Sequence, residues 1–253
     1  MDEVSDFEGK VAIVTGGTRG LGRVIACRLA DAGCKVVVCA RSQSADLDQR
    51  IAFVSADIRD PDQAAAVVQH AVDSFGSLHL LVNNAGGSPG ADAATASPRF
   101  FDSVVALNLN SAMYMMQAAH APMKAAGGGA MVNITSVSGT RPSPGTAAYG
   151  AAKAGLLNLT QSLAQEWGPD AVRVNAIIAG LMVTETAEQT YGDEDAQAKV
   201  GASIPLGRMG VGDDLAEAIM WLASDRASWV NGARINVDGG GERPYFLDVV
   251  KGS

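Results

Sequence analysis

Aromatic side chains are scarce in this chain, 5% of 253 residues, and charged ones make up only 18%. The first shortage argues against a nucleic-acid platform, which stacks bases on aromatic faces. The second argues against disorder, which needs high charge and low hydrophobicity, whereas 47% of these residues are apolar. Basic residues are in the minority, Lys plus Arg 19 against Asp plus Glu 27, for a net charge of −8. An acidic balance leaves no electrostatic footprint for nucleic acid or an anionic membrane. Cysteine is limited to Cys27, Cys34 and Cys39. An odd count without framework spacing is expected to be buried, reduced thiols of a cytoplasmic protein rather than disulfides. His70, His79 and His120 form no pair at ligand spacing, so no metal is expected. No apolar run reaches the length of a membrane span, and the acidic start Met1-Asp2-Glu3 does not read as a signal peptide.

What the chain has in excess is glycine, 29 residues, about one in nine. That points to tight turns and close approach of backbone to something else. Short β-branched runs alternate with longer helical patterns. Val11 to Thr15, Lys35 to Ala40, Ile51 to Ser55, Leu78 to Asn83, Ala130 to Thr135, Val172 to Ile178 and Arg234 to Val237 read as strands. Leu21 to Ala32, Asp60 to Phe75, Phe101 to Ala126, Tyr149 to Trp167 and Asp213 to Ser224 read as helices. Continuous apolar strands between helices predict both faces of a parallel sheet covered. The expected fold class is α/β, a single Rossmann-like, doubly wound domain over 1–253 with a seven-stranded parallel sheet. The helix between the second and third strands is expected to be small or nearly absent. Residues 181–203 break the alternation and read as a mobile insertion near the ligand end of the sheet. Met182, Val183, Tyr191, Val200 and Ile204 there hint at an apolar pocket.

The first strand runs into Gly16-Gly17-Thr18-Arg19-Gly20-Leu21-Gly22, with a helix directly after. Glycines at Gly16, Gly20 and Gly22 let a phosphate approach the amides of a helix N-terminus. A plain structural turn would use them too. No carboxylate follows the second strand, which ends in Ala40-Arg41-Ser42. Arg41, helped by Arg19, suits a ribose 2′-phosphate, and so NADP(H) over NAD(H). Both arginines could also be ordinary surface residues. Asp57 and Ile58 follow the third strand, where an adenine edge would lie. Asn83-Asn84-Ala85-Gly86 closes the fourth.

Tyr149 and Lys153 are four residues apart, hence on one helix face. An ammonium beside a phenol is expected to lower the phenol pKa and make it an acid–base catalyst. Ser136, at the end of the preceding strand, could hold a substrate oxygen. Alone, each of these is common by chance.

Together TGGTRGLG, ADIRD, NNAG, NITSVSG, YGAAK and IPLGRMG…NGARINVDGG resemble the classical short-chain dehydrogenase/reductase family, from Phe7 to Gly241. The resemblance implies an NAD(P)-dependent enzyme moving hydride between nicotinamide C4 and a carbonyl or secondary alcohol carbon. Tyr149 would be its general acid or base. Lys153 would bind the nicotinamide ribose, Ser136 would polarise the substrate oxygen, and Asn108 would hold a water of the proton relay. Gly16, Thr18, Arg19, Gly20, Leu21, Gly22, Asn84, Ala85, Gly86, Gly180 and Thr184 would line the cofactor, with Thr184 on the carboxamide. A homo-oligomer, most often a tetramer, is implied, with a small-molecule substrate. Ala179 stands where the family usually has proline before Gly180. The apolar tail 242–253, holding Tyr245, Phe246 and Leu247, is expected to pack on its own subunit or to cross to a neighbour. A reading from another class is a cofactor-binding regulator without catalysis. Such a chain should lack Tyr149 or Lys153, and both are present.

Overall fold

A computed structural model describes residues 6–185, 187–242 and 246–251. Among them, seven strands, β1 (Val11–Thr15), β2 (Lys35–Ala40), β3 (Ile51–Ser55), β4 (Leu80–Asn83), β5 (Gly129–Ser136), β6 (Val172–Ala179) and β7 (Arg234–Val237), make one sheet. Every pairing is parallel and the order is β3-β2-β1-β4-β5-β6-β7. Chain order reverses between β1 and β4, which opens a crevice beyond their carboxyl ends, the ligand position of such sheets.

Helices α1 (Gly20–Asp31) and α8 (Gly212–Ala223) cover one face, where Ile25, Leu29, Leu215 and Ile219 enter the core. Helices α2 (Pro61–Phe75), α4 (Ser111–Ala125) and α5 (Ala147–Trp167) cover the other. Val67, Met115, Met116, Met123, Met131 and Leu156 are fully buried there. A chain poor in aromatics fills this face with methionine and aliphatic groups, each worth about 1.5–3 kcal/mol when fully buried. Cys34 and Cys39 belong to this core, and burial pushes both thiols up to about 12.

Local signals set the starts of α2 and of the helix before α4. Asp60 accepts from the Asp62 and Gln63 amides, with Pro61 first in α2. The helix expected from Phe101 begins earlier, as α3 (Pro98–Val105), because Ser97 caps it by accepting from the Phe100 amide. It reaches α4 through a π-helical turn, Ala106–Asn110, which widens the helix around Asn108. The 41–50 segment has turns and no helix, as its shortness predicted.

Residues 181–203, expected as an insertion, contain helical structure. They hold α6 (Ala187–Tyr191) and α7 (Glu194–Ser203). Asp193 caps α7 by accepting from the Ala196 amide, a signal passed over in favour of the segment's polar composition. The segment is anchored at its start, where Val183 donates to the Gly210 carbonyl and the Gly210 amide to Leu181. Met182 and Ile204 are 6% and 4% exposed. They hold the segment down against Gly210 and Gly239, and Met182 also lines a cavity with Leu181, Pro205 and Val237.

A buried polar chain sets α5 on the sheet. Asn83 Nδ2 donates to Asn133 Oδ1 at 2.9 Å, and Asn133 Nδ2 donates to Thr160 Oγ1 at 2.9 Å. Inside a low-dielectric core such bonds fix registration, because losing one strands a polar group. Helix α5 therefore has a set position on β5, and with it Tyr149 and Lys153.

At the far end of the chain, α9 (Phe246–Lys251) leaves Phe246, Val249 and Val250 exposed. Arg243, Pro244 and Tyr245 lie outside the described residues, as do the side chain of Leu247 and residues 252–253. The expectations about them cannot be read from the fold. Among the described residues no helix is long and apolar enough to cross a membrane, and no three His, Cys, Asp or Glu side chains gather at metal-binding distance.

Candidate active site

The crevice is built first from strand ends. Thr15 closes β1 and is buried. Its Oγ1 accepts from the Asn84 and Ala85 amides, both at 3.0 Å, while Asn84 Nδ2 donates to the Thr15 carbonyl at 2.8 Å. The Gly16–Gly22 turn and the Asn83–Gly86 turn are thereby stitched side by side. Gly16 has φ +65, where a side chain is strained. Gly22 is required by contact, since a Cβ there would lie 2.5 Å from the Gly16 carbonyl oxygen and would overlap the Asn84 amide. The glycine spacing thus serves the packing of α1 against the turn as well as the approach of a ligand.

The first turn of α1 lacks a local cap. Arg19, in the N-cap position, is extended and its side chain bonds no helix amide. The Gly20 amide donates instead to Glu185 Oε1 at 3.1 Å, and Arg23 Nη2 pairs with the same oxygen at 3.3 Å. Arg23 also pairs with Asp46, in the loop between β2 and β3. Thr18 and Gly22 are buried beneath the turn, and Arg19 is exposed. A carboxylate seated on the Gly20 amide shows that the turn accepts an anion, as a dinucleotide pyrophosphate requires.

Beside it, Arg41 follows the end of β2 and is exposed. Its carbonyl accepts from Ser55 Oγ at 3.3 Å. Among the described residues neither Arg19 nor Arg41 is in an ion pair. Asp57 is bound by Arg59, whose guanidinium holds the carboxyl below its usual range, with a smaller pull from Arg41. Ile58 is buried next to it.

On the other side of the crevice β5 delivers Ser136 and α5 delivers Tyr149 and Lys153. Ser136 lies near enough to Tyr149 for its side chain to pull the phenol pKa down. The Ser138 amide donates to Ser136 Oγ at 3.2 Å. Lys153 is fully enclosed. Its Nζ donates to the Ile134 carbonyl at 2.8 Å and stands 5.6 Å from the centre of the Tyr149 ring. Burial pushes the ammonium down to about 8. The phenol moves the opposite way from expectation. Burial raises the Tyr149 pKa above its ordinary value, and the Ser136 side chain only partly offsets this. The expected lowering by Lys153 fails because the ammonium is aimed at a carbonyl and faces the ring rather than the hydroxyl. Desolvation then dominates both groups.

Asn108, in the π-helical turn, spends its amide on backbone. Oδ1 accepts from Gly87 at 2.8 Å, and Nδ2 donates to the Gly87 and Val104 carbonyls, each at 2.9 Å. Both donors and one lone pair are used, which leaves one acceptor site on Oδ1. That oxygen and Lys153 Nζ both border Gly86, where a Cβ would lie 2.7 and 3.2 Å from them. Asn108 therefore holds the Gly86–Gly87 turn against Lys153.

Of the further side chains at this end, Ser138, Ser143, Thr146 and Arg141 carried no readable sequence signal. Ser143 Oγ donates to Ser138 Oγ at 3.1 Å and meets Thr146 Oγ1 at 2.6 Å. Tyr191, on α6, is half-buried, which raises its pKa. Arg141 pairs with Glu242 at 2.6 Å, which ties the start of the tail to the loop after β5. Gly180 donates to the Val237 carbonyl at 3.0 Å, and Thr184 begins the segment toward α6. Ala179 extends β6 by one register step, opposite Ser136 and Val237.

The chain is similar to known proteins over nearly its whole length. A family model described as enoyl-(acyl carrier protein) reductase matches residues 16–242. The chain is 39% identical to the 2-dehydro-3-deoxy-D-gluconate 5-dehydrogenase of Escherichia coli, covering 92% of this chain and 96% of that one. It is 38% identical to the L-rhamnose 1-dehydrogenase (NAD(P)(+)) of Azotobacter vinelandii, covering 91% and 96% respectively. The solved structure of the Thermoplasma acidophilum aldohexose dehydrogenase, in ligand-free form, is similar with a TM-score of 0.88 at 31% identity. It covers 93% of this chain and 95% of that chain.

Proposed function

The chain belongs to the short-chain dehydrogenase/reductase family and is an oxidoreductase of CH–OH groups that uses NAD(P); from that premise we propose that Tyr149 is its general acid and base. The observation that carries this reading is the convergence of Tyr149 and Lys153 on one face of α5, with Lys153 Nζ enclosed 5.6 Å from the centre of the Tyr149 ring and Ser136 at the end of β5 nearby. The bound cofactor supplies or accepts the hydride. The residues of the chain position the partners and handle the proton. Ser136 holds the substrate oxygen beside the Tyr149 hydroxyl. In reduction that hydroxyl passes its proton to the oxygen as it becomes an alcohol; in oxidation the phenolate takes the proton back. Lys153 bonds the nicotinamide ribose and, once turned from the ring toward that end of the crevice, lowers the cost of the phenolate. Asn108 keeps the Gly86–Gly87 turn in place and offers its remaining lone pair to a water next to Lys153.

The anion-accepting turn at Gly20 takes the pyrophosphate, Asp57 and Ile58 flank the adenine, and Thr184 meets the carboxamide. NADP(H) is the preferred form, supported by exposed Arg41 at the end of β2 and by the lack of a carboxylate there. The substrate is a small polyhydroxylated molecule. Ser138, Ser143, Thr146 and Tyr191 make a hydroxyl-rich rim beside Ser136, and the relatives named above act on sugars and a sugar acid. The protein works as a homo-oligomer, a tetramer by family resemblance. Trp229, 98% exposed, and Leu206, 72% exposed, are apolar surface of the kind an assembly covers.

The test is nicotinamide absorbance with NADPH or NADP and with NADH or NAD, over aldoses, sugar acids and a steroid control. Turnover of a sugar-type substrate, faster with the phosphorylated cofactor, is expected. Turnover of the steroid alone would refute the substrate class, and no cofactor oxidation or reduction with any substrate would refute the activity.

A further inference from the structure

The Gly20 amide is capped from 165 residues away. Helix α1 has twelve residues and no acidic residue in its first turn, and its N-cap side chain contributes no bond. Left alone, the first-turn amides would face water at the positive end of the helix dipole. Glu185 covers them. Its Oε1 takes the Gly20 hydrogen and lies against Arg23 Nη2 as well, so two positive groups converge on one oxygen. The rest of the Glu185 side chain is exposed, and no core packing holds it there. Arg23 in turn binds Asp46. The segment before α6 and the loop between β2 and β3 are thus joined across the mouth of the crevice through one guanidinium.

We propose that Glu185 is an internal stand-in for the cofactor's pyrophosphate. It occupies the α1 turn when the crevice is empty and must leave before a dinucleotide can seat. The inference rests on the reading above, in which that turn is the phosphate cradle. The chemistry of the site supports it, because a carboxylate and a phosphate oxygen compete for the same amide and the same guanidinium. Both cannot hold one N–H, and two anions at that distance repel.

Calorimetric titration of the full chain with NADPH and with NADH tests it, using wild type, Glu185→Gln and Glu185→Ala. Removing an anion that competes through one amide and one exposed guanidinium should tighten both cofactors about three- to tenfold. Because the pyrophosphate is common to both, the gain should be the same for each. Amide hydrogen exchange gives a second readout. In the free protein, first-turn amides of α1 should exchange faster in Glu185→Ala than in wild type, and the difference should vanish on saturation with NADPH. Unchanged or weaker cofactor binding in both variants overturns the proposal. So does an exchange difference that persists at saturation, since Glu185 would then share the turn with the cofactor. If neither cofactor binds wild type, the cradle reading fails and this inference with it. If all three proteins bind equally, the cradle stands and only the stand-in role falls.

Discussion

Lys153 Nζ stands 5.6 Å from the centre of the Tyr149 ring and is bonded to a main-chain carbonyl behind it. The two groups share a face of α5, and burial disfavours the charged form of each. The phenol is raised and the ammonium is down at about 8. At neutral pH the phenol is neutral while the ammonium still carries its charge.

Replacing Tyr149 with phenylalanine removes the transferable proton and leaves the ring. Turnover should fall by about 10²–10⁴, with cofactor affinity nearly unchanged. Single-turnover rates beside cofactor titrations check this. Retention of most of the activity would sink the acid–base assignment.

Burial of Lys153 makes stability depend on pH, and the sign follows from its shift. Its pKa is lowered from 10.5 to about 8 on folding, so between those values the unfolded chain binds more protons. Stability from this group therefore rises as pH increases from about 8 toward 10.5. Cofactor-free wild type should gain in melting temperature relative to Lys153→Met across that window. A pH-independent difference would mean the ammonium is not desolvated in the folded state.

Glycine 22 tests how tightly the turn is packed. Alanine there places a methyl 2.5 Å from the Gly16 carbonyl oxygen and against the Asn84 amide. Backbone cannot yield cheaply, so a loss of about 1–3 kcal/mol is expected, together with weaker cofactor binding. Thermal melts with and without NADPH measure both, and an unshifted melt would show that the turn can relax.

Arg41→Ala should weaken NADPH and spare NADH. One charge-assisted contact is worth about 1.5–3 kcal/mol, roughly tenfold to a hundredfold in affinity. Adding Ala40→Asp should then favour NADH by repelling the 2′-phosphate. Equal NADPH affinity in wild type and Arg41→Ala would remove the argument for NADP(H).

Truncation after Gly241 removes Glu242 and α9 together. The exposed Arg141–Glu242 pair contributes about 0–1 kcal/mol, so a large melting shift is not expected from that source. A smaller species on a sizing column, or a raised KM with cofactor affinity unchanged, would show that the tail completes the assembly or the substrate pocket. Unchanged size and kinetics would show that it does neither.

Strand and helix positions were legible because their causes are local. Apolar runs such as Val36 to Val38 can only be covered on both faces, and Asp60-Pro61 is a helix start written in adjacent residues. Glycine turn, YGAAK and NNAG likewise carry their spacing in the chain. Helix α7 was less legible, because Asp193, whose carboxylate accepts from the Ala196 amide, sits in a stretch of mixed polar composition. The direction of the Tyr149 shift and the capping of Gly20 by Glu185 were decided by tertiary structure alone. Desolvation is set by everything packed around a group, and a hydrogen bond between residues 165 positions apart exists only once the sheet has brought its strand ends together. The types and order of the chemical groups were determined by the chain, and their charge states and partners by the folded environment.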